Sequence, residues 1–333
     1  MFTKQLQEAI IKQPLFKTID TDCDLFTFLT GTCILGNMAA AITKTIVATG
    51  ASSGLGFEAV KQLLQQTQPY RFILGARDPK STQAAYDKLK YDATMHSVSI
   101  LPLELADLRG VKSFAQQALD KLGSHKLDVL LLNAALNKPA TGPGPNHSKW
   151  CEAFVVNHLS QHYLTHLLED KVRESRSRVV VVSSGAVRNI RNDDPQTLDI
   201  DLKADSGAEG MVTYCASKFT QLLSTHWWRR RLGDSAQVVA VSPGFIPGTG
   251  LGRHSDHKFD INSLPDAKSV DEGAKSILEA FTRDDFPSDP QQIFLTSWGE
   301  WWPKDVYSLS LDETLQDKWS PSKEEIEKEE LVQ

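Results

Sequence analysis

The 333-residue sequence is poor in sulfur and in aromatic rings, with four cysteines, four methionines and 8% Phe, Trp and Tyr. Cys23, Cys33, Cys151 and Cys215 have neither the paired spacing of metal ligands nor the density of a disulfide framework. That excludes a zinc module and a disulfide-stapled secreted domain, and fits a reducing, cytoplasmic compartment. No block of one charge sign stands out: 36 basic and 42 acidic side chains are spread along the chain for a net charge of -6. A nucleic-acid partner or an anionic membrane surface therefore has no electrostatic footprint here. The one local exception, Arg229-Arg230-Arg231, reads as a solvated helix end. Long apolar runs are also missing. Residues 25–43 carry no charge, but Thr27, Thr30, Gly31, Thr32, Gly36 and Asn37 dilute them, and Asp20, Asp22 and Asp24 stand where a leader would be basic. This stretch reads as a loosely ordered extension without stable membrane insertion. A membrane anchor is the alternative reading, and Met38 is a candidate start.

With 41% hydrophobic residues, the chain is long enough to bury one large α/β core. The core pattern opens on the run Thr45-Ile46-Val47-Ala48, which feeds Thr49-Gly50-Ala51-Ser52-Ser53-Gly54-Leu55-Gly56. A strand leading through a glycine turn into a helix presents backbone N–H groups to a pyrophosphate. Gly50 would turn the chain off the strand, Gly54 would let phosphate approach, and Gly56 would let the helix pack on the sheet. Ser52, Ser53 and Leu55 complete this expected cofactor contact.

Further strands are expected at residues 71–76, 98–103, 129–132, 178–182, 238–241 and 292–296, with helices at 55–66, 80–91, 108–122, 149–171 and 271–283 and one starting near Val212. The end of the second strand selects the cofactor, because an acid there accepts from the ribose 2′-hydroxyl whereas a base binds a 2′-phosphate. Ala76 holds the acid position and Arg77 follows it, which favours NADP(H) over NAD(H); the competing role for Arg77 is an ion pair with Asp78. Glu104 and Leu105 would lie beside the adenine, and the small residues after Asn133 would let the backbone approach the cofactor. His158, His162 and His166 form one helical stripe, but a straight helix cannot wrap three imidazoles around one ion. They are expected to pack or to form an interface, and no metal site is expected.

Ser184 ends the strand at 178–182, on the sheet edge where doubly wound folds bind ligands. Tyr214 and Lys218 are four residues apart and so share a helix face. Carbonyl reduction by hydride needs a proton donor at the developing alkoxide, and a neighbouring ammonium is expected to lower the phenol's pKa. Ser184 can hold the carbonyl oxygen without changing charge.

The glycine turn, Asn133-Ala134-Ala135, Asn157, Ser184, Tyr214 with Lys218, and Pro243-Gly244 stand in one order, and over roughly residues 43–296 the chain resembles the short-chain dehydrogenase/reductase superfamily. The resemblance implies a Rossmann-type, doubly wound, seven-stranded parallel sheet. It makes Tyr214 the acid/base, Lys218 its partner, Ser184 the orienting hydroxyl and Asn157 the holder of a relay water. Pro243, Gly244 and Thr249 would join the cofactor contacts. Leu132, Ala135 and Glu104 depart from the commonest pattern without removing a chemical group. The motifs Gly75-Ala76-Arg77-Asp78, Val156-Asn157-His158 and Pro243 through Leu251 are similar to a branch holding light-dependent protochlorophyllide reductases, retinol dehydrogenase-like enzymes and fungal biosynthetic reductases. Phe245 stands where the pigment enzymes carry cysteine.

The sequence thus reads as an extension at 1–42, one catalytic domain at 43–296 and a tail at 297–333. Residues 187–211, a surface excursion, and 245–264 would wall the substrate site, while Trp298, Trp301 and Trp302 would cap the core or line an apolar pocket. The expected activity is NADP-dependent interconversion of an alcohol and a ketone or aldehyde on a medium-sized apolar molecule, in specialised-metabolite biosynthesis. Double-bond reduction of a tetrapyrrole and a non-catalytic NADP-binding sensor are the alternatives. An oligomer is compatible with the sequence but not derivable from it.

Overall fold

Short runs of branched apolar residues alternate with amphipathic helices along this chain, a rhythm that builds a parallel sheet covered on both faces. The computed structural model describes residues 42–247, 249–251 and 267–330. Residues 1–41 of the expected extension and most of the expected wall at 245–264 lie outside the described residues.

The strands are β1 (Lys44–Thr49), β2 (Tyr70–Ala76), β3 (Ser97–Pro102), β4 (Val129–Leu132), β5 (Arg178–Val182), β6 (Gln237–Val241) and β7 (Phe294–Leu295). They form one seven-stranded, wholly parallel sheet in the order β3-β2-β1-β4-β5-β6-β7. The order reverses between β1 and β4, opening a crevice above their carboxyl ends. Along β1, Val47 joins the core on one face of the sheet while Ile46 and Ala48 join the core on the other, as a period of two requires.

The helices are α1 (Gly54–Leu63), α2 (Pro79–Tyr86), α3 (Leu108–Leu122), α4 (Glu152–Phe154), α5 (Ser160–Leu167), α6 (Glu169–Ser175), α7 (Leu198–Asp201), α8 (Gly210–Leu232), α9 (Val270–Thr282), α10 (Glu313–Lys318) and α11 (Lys323–Glu329). The single helix expected over 149–171 is broken. A π-turn at Val155–Leu159 separates α4 from α5, and α6 starts anew at Glu169. Side chains inside the segment take up carbonyls there: Ser160 Oγ donates to Val155 O at 2.7 Å, and Gln161 Nε2 donates to Val156 O at 3.1 Å.

The tail accounts for two features the sequence left as surface or packing. Arg229-Arg230-Arg231 ends α8 with Arg230 and Arg231 exposed, as expected, and the exposed guanidiniums also form ion pairs: Arg230 reaches Gln316 at 2.9 Å and Asp317 at 2.6 Å, and Arg231 pairs with Glu169 at 2.9 Å. The histidine stripe holds the tail backbone. His158 Nε2 lies 2.8 Å from Trp319 O and His162 Nε2 lies 2.9 Å from Pro321 O, while Trp228 Nε1 donates to His162 Nδ1.

Burial pushes His158 from 6.5 down to about 4 and His226 down to about 3, and holds His162 well below its ordinary value. These rings stay neutral in the folded chain at pH values where the unfolded chain already binds protons. Their contribution is therefore complete above about pH 6.5 and is lost as pH falls through about 4. Each extra proton bound on unfolding steepens the loss by about 1.4 kcal/mol per pH unit. The urea midpoint should drop steeply over that window; a midpoint constant across it would contradict the burial of the stripe.

Candidate active site

The carboxyl edge of the sheet gathers the expected residues. Parallel pairing places Thr49 beside Leu132, so the turn after β1 and the segment after β4 emerge side by side. Gly50 has φ +66°, and a Cβ there would stand 2.6 Å from Ala134 Cα. A Cβ at Gly56 would stand 2.4 Å from Gly50 O and 2.5 Å from Asn133 Nδ2. Asn133 Nδ2 donates to Gly50 O at 2.8 Å, so the asparagine holds the glycine turn from behind. Ser53 caps α1 without a side-chain hydrogen bond, and Ser52 and Ser53 are exposed. The first-turn N–H groups of α1 are thus left for an anion. Thr249 overhangs the turn, its Cβ 3.8 Å from where a Gly54 Cβ would sit, while Leu55 packs against Gly273 of α9.

Two residues of this assembly escaped sequence reasoning. Thr49 Oγ1 accepts from the N–H groups of Asn133 and Ala134, both at 3.1 Å, and donates to Gln161 Oε1 at 3.0 Å. Gln161 Nε2 in turn donates to Ala134 O at 2.9 Å. Their signal was present: Thr49 directly precedes the glycine turn, and Gln161 lies one helical turn beyond Asn157.

At the end of β2, Arg77 is exposed, and Asp78 spends its carboxylate on the Ser81 N–H at 3.0 Å as the cap of α2. Among the described residues no ion pair joins the two. Glu104 Oε1 accepts from Ala106 N at 3.0 Å, and the Leu105 side chain is buried in the core.

Ser184 accepts from Ala186 N at 3.2 Å, and its hydroxyl lies close enough to the Tyr214 phenol to exert a lowering influence on it. Tyr214 and Lys218 both come from α8, with Lys218 only 1% exposed. Lys218 Nζ donates to Val182 O at 2.8 Å and to Gln221 Oε1 at 3.1 Å. Burial pushes Lys218 from 10.5 down to about 7 and Tyr214 from 10.0 up to about 12, against the lowering influence of Ser184. Desolvation dominates at both groups, so the phenol stands above its ordinary value where a net lowering was expected, and Lys218 Nζ is hydrogen-bonded to Val182 O and Gln221 Oε1. Asn157 anchors the β4–α4 segment, its side chain accepting from Leu136 N at 2.8 Å and donating to Leu136 O and Ser217 Oγ, both at 2.9 Å. Among the described residues no group of His, Cys, Asp and Glu is placed to hold a metal ion.

A family model described as short chain dehydrogenase matches residues 44–192. A short-chain dehydrogenase/reductase of Pestalotiopsis microspora is 67% identical over 290 residues, spanning 87% of this chain and 100% of that one. The chain belongs to the short-chain dehydrogenase/reductase superfamily. Human retinol dehydrogenase 13 is 32% identical over 218 residues, 64% of this chain and 61% of its own. The fold is that of the NADPH-bound carbonyl reductase from chicken fatty liver, with a TM-score of 0.59 at 19% identity, covering 78% of this chain and 94% of that one.

In this member of the superfamily the expected surface excursion at 187–211 is anchored. Leu198 and Leu202 are fully buried, and Cys151 N, Ala204 N and Ala140 N bond Leu202 O, Lys149 O and Ala208 O at 2.8–2.9 Å. Val187 and Ile190, three apart, and Leu198 and Leu202, four apart, are buried within this polar stretch and supply the anchors. Of the tail tryptophans, Trp301 packs on Phe286 and Trp302 on Phe294, whereas Trp298 is 64% exposed beneath Lys268. Two cap the core, and the third faces out beside the Pro243-Gly244 turn, where Ser297 lies 3.2 Å from a Cβ built on Gly244.

Proposed function

We propose that this protein is an NADP-dependent oxidoreductase that interconverts an alcohol and a ketone or aldehyde on a medium-sized apolar substrate. The observation that carries the reading is the placement of Ser184 beside the Tyr214 phenol, with the buried Lys218 one turn further along α8, at the same sheet edge as the glycine turn. The open first turn of α1 and the cradle closed by Gly50, Gly56 and Asn133 suit a pyrophosphate. NADPH, when bound, supplies the hydride.

Ser184 would hold the substrate oxygen, and Tyr214, fully protonated at neutral pH with its value near 12, would deliver the proton to the developing alkoxide. Lys218, near 7, would compensate the phenolate charge while it is protonated, so the reduction rate should fall as pH rises through about 7. Asn157 would brace the segment after β4. The domain division at 43–296 and 297–333, a cytoplasmic setting and a place in specialised-metabolite biosynthesis belong to the same reading, as do substrate walls at 187–211 and 245–264.

Arg77 would bind the 2′-phosphate, a role supported by its exposure at the end of β2 and by the engagement of Asp78 elsewhere. Arg77→Glu should weaken NADPH binding by about 10–100-fold, the worth of a charged hydrogen bond to phosphate, and leave NADH binding little changed. Fluorescence titration with both dinucleotides tests this. Equal loss for both would remove Arg77 from the 2′-phosphate site.

A further inference from the structure

The inner end of the Lys218 side chain has a partner that neither the family resemblance nor the proposed chemistry assigns. Gln221 lies on α8 within one turn of Lys218 and is 4% exposed. Its Oε1 accepts from Lys218 Nζ at 3.1 Å, and its Nε2 donates to the main-chain carbonyl of Asn157 at 2.8 Å. That carbonyl belongs to the π-turn, a local widening that often marks a functional position. It accepts a second side-chain amide, Gln161 Nε2, at 3.0 Å. Gln161 also donates to Ala134 O and accepts from Thr49 Oγ1, so one buried network runs from the glycine turn to Lys218.

One side chain spans Lys218 Nζ and the Asn157 carbonyl by direct hydrogen bonds. We propose that Gln221 is a positioning residue, a carboxamide strut that holds Lys218 against the Asn157 carbonyl. The chemistry of the amide supports this. Oε1 only accepts and Nε2 only donates, so a neutral carboxamide fixes the orientation of an ammonium but does not pass a proton onward as water does. The strut also explains why a buried ammonium needs no carboxylate: two of its three N–H groups are taken by neutral oxygens, Val182 O and Gln221 Oε1. The titratable and charged groups carried by this stretch of α8 and by the turns packed against it are Tyr214 and Cys215 on α8, His158 on the π-turn and Arg188 on the turn after β5.

The proposal rests on the reading of Tyr214 and Lys218 as the acid/base pair, and the test separates the two. NADPH oxidation with an aromatic o-quinone or a ketone panel is followed against pH for the wild-type chain, Gln221→Leu and Gln221→Glu. In Gln221→Glu a carboxylate facing Nζ should move the fall in kcat to higher pH by about 1–3 units. In Gln221→Leu the lost acceptor should lower kcat about tenfold and move the fall to lower pH, with the Kd for NADPH within about twofold. A kcat and pH profile unchanged in Gln221→Leu would reduce Gln221 to packing and overturn the proposal.

If the wild-type chain reduces nothing, the functional reading fails, and the strut is still tested by unfolding the cofactor-free protein. Lys218 sits near 7 in the folded chain and at 10.5 in the unfolded one, so wild-type stability gains a rising component between those pH values. Gln221→Glu should flatten that rise by keeping Lys218 charged. Identical slopes in wild type and Gln221→Glu would overturn the strut independently of turnover.

Discussion

Tyr214→Phe should lower turnover by about 10²–10⁴-fold, the usual worth of a positioned proton donor, while the Kd for NADPH stays within about twofold. The physical argument starts from burial. The phenol is fully enclosed and pushed up to about 12, so it is protonated throughout the neutral range and is available as an acid. Phenylalanine keeps the ring and its packing on α8 but removes the phenol proton. The Ser184 hydroxyl would still hold a substrate oxygen and should keep KM nearly constant. Steady-state kinetics paired with fluorescence titration of NADPH checks the split. Loss of cofactor binding together with turnover would mean that Tyr214 shapes the nucleotide site instead.

Gly56→Ala should have the largest effect on the folded state. The added Cβ would meet Gly50 O at 2.4 Å and Asn133 Nδ2 at 2.5 Å, distances that no rotamer change relieves on the carbonyl side. Either α1 shifts off the sheet or the turn after β1 opens, and both break the Asn133–Gly50 hydrogen bond. Overpacking of this kind costs about 1–3 kcal/mol, and loss of the buried bond adds about 1 kcal/mol. Denaturant unfolding should show a loss of about that sum, with NADPH binding reduced at least tenfold. Gly142→Ala is the control for the assay, because a Cβ there meets nothing within 4 Å and the position has no left-handed φ. Equal loss in the two variants would show that the clash at Gly56 is absorbed.

The sequence by itself determined the parts of this protein that depend on local order along the chain. Branched runs marked the strands because a strand buried on both faces cannot alternate with polar residues. The glycine turn, Asn133, Ser184 and the Tyr214–Lys218 interval were legible because strand ends and helix faces place them by counting residues. Family membership followed from the same ordered set. Tertiary structure decided what depends on partners distant in sequence. The histidine stripe was expected to pack, but its partner, the tail backbone more than 150 residues downstream, was fixed only by the fold, as was the contact of the exposed Arg230 with Gln316. Thr49 and Gln161 became site residues only when parallel pairing set β1 beside β4. The most consequential correction concerned charge. Helical spacing correctly put Tyr214 and Lys218 on one face, but spacing contains no information about water. The packing of α8 against the π-turn and the end of β5 removed that water, raised the phenol, lowered the ammonium and placed Gln221 between Lys218 and the Asn157 carbonyl.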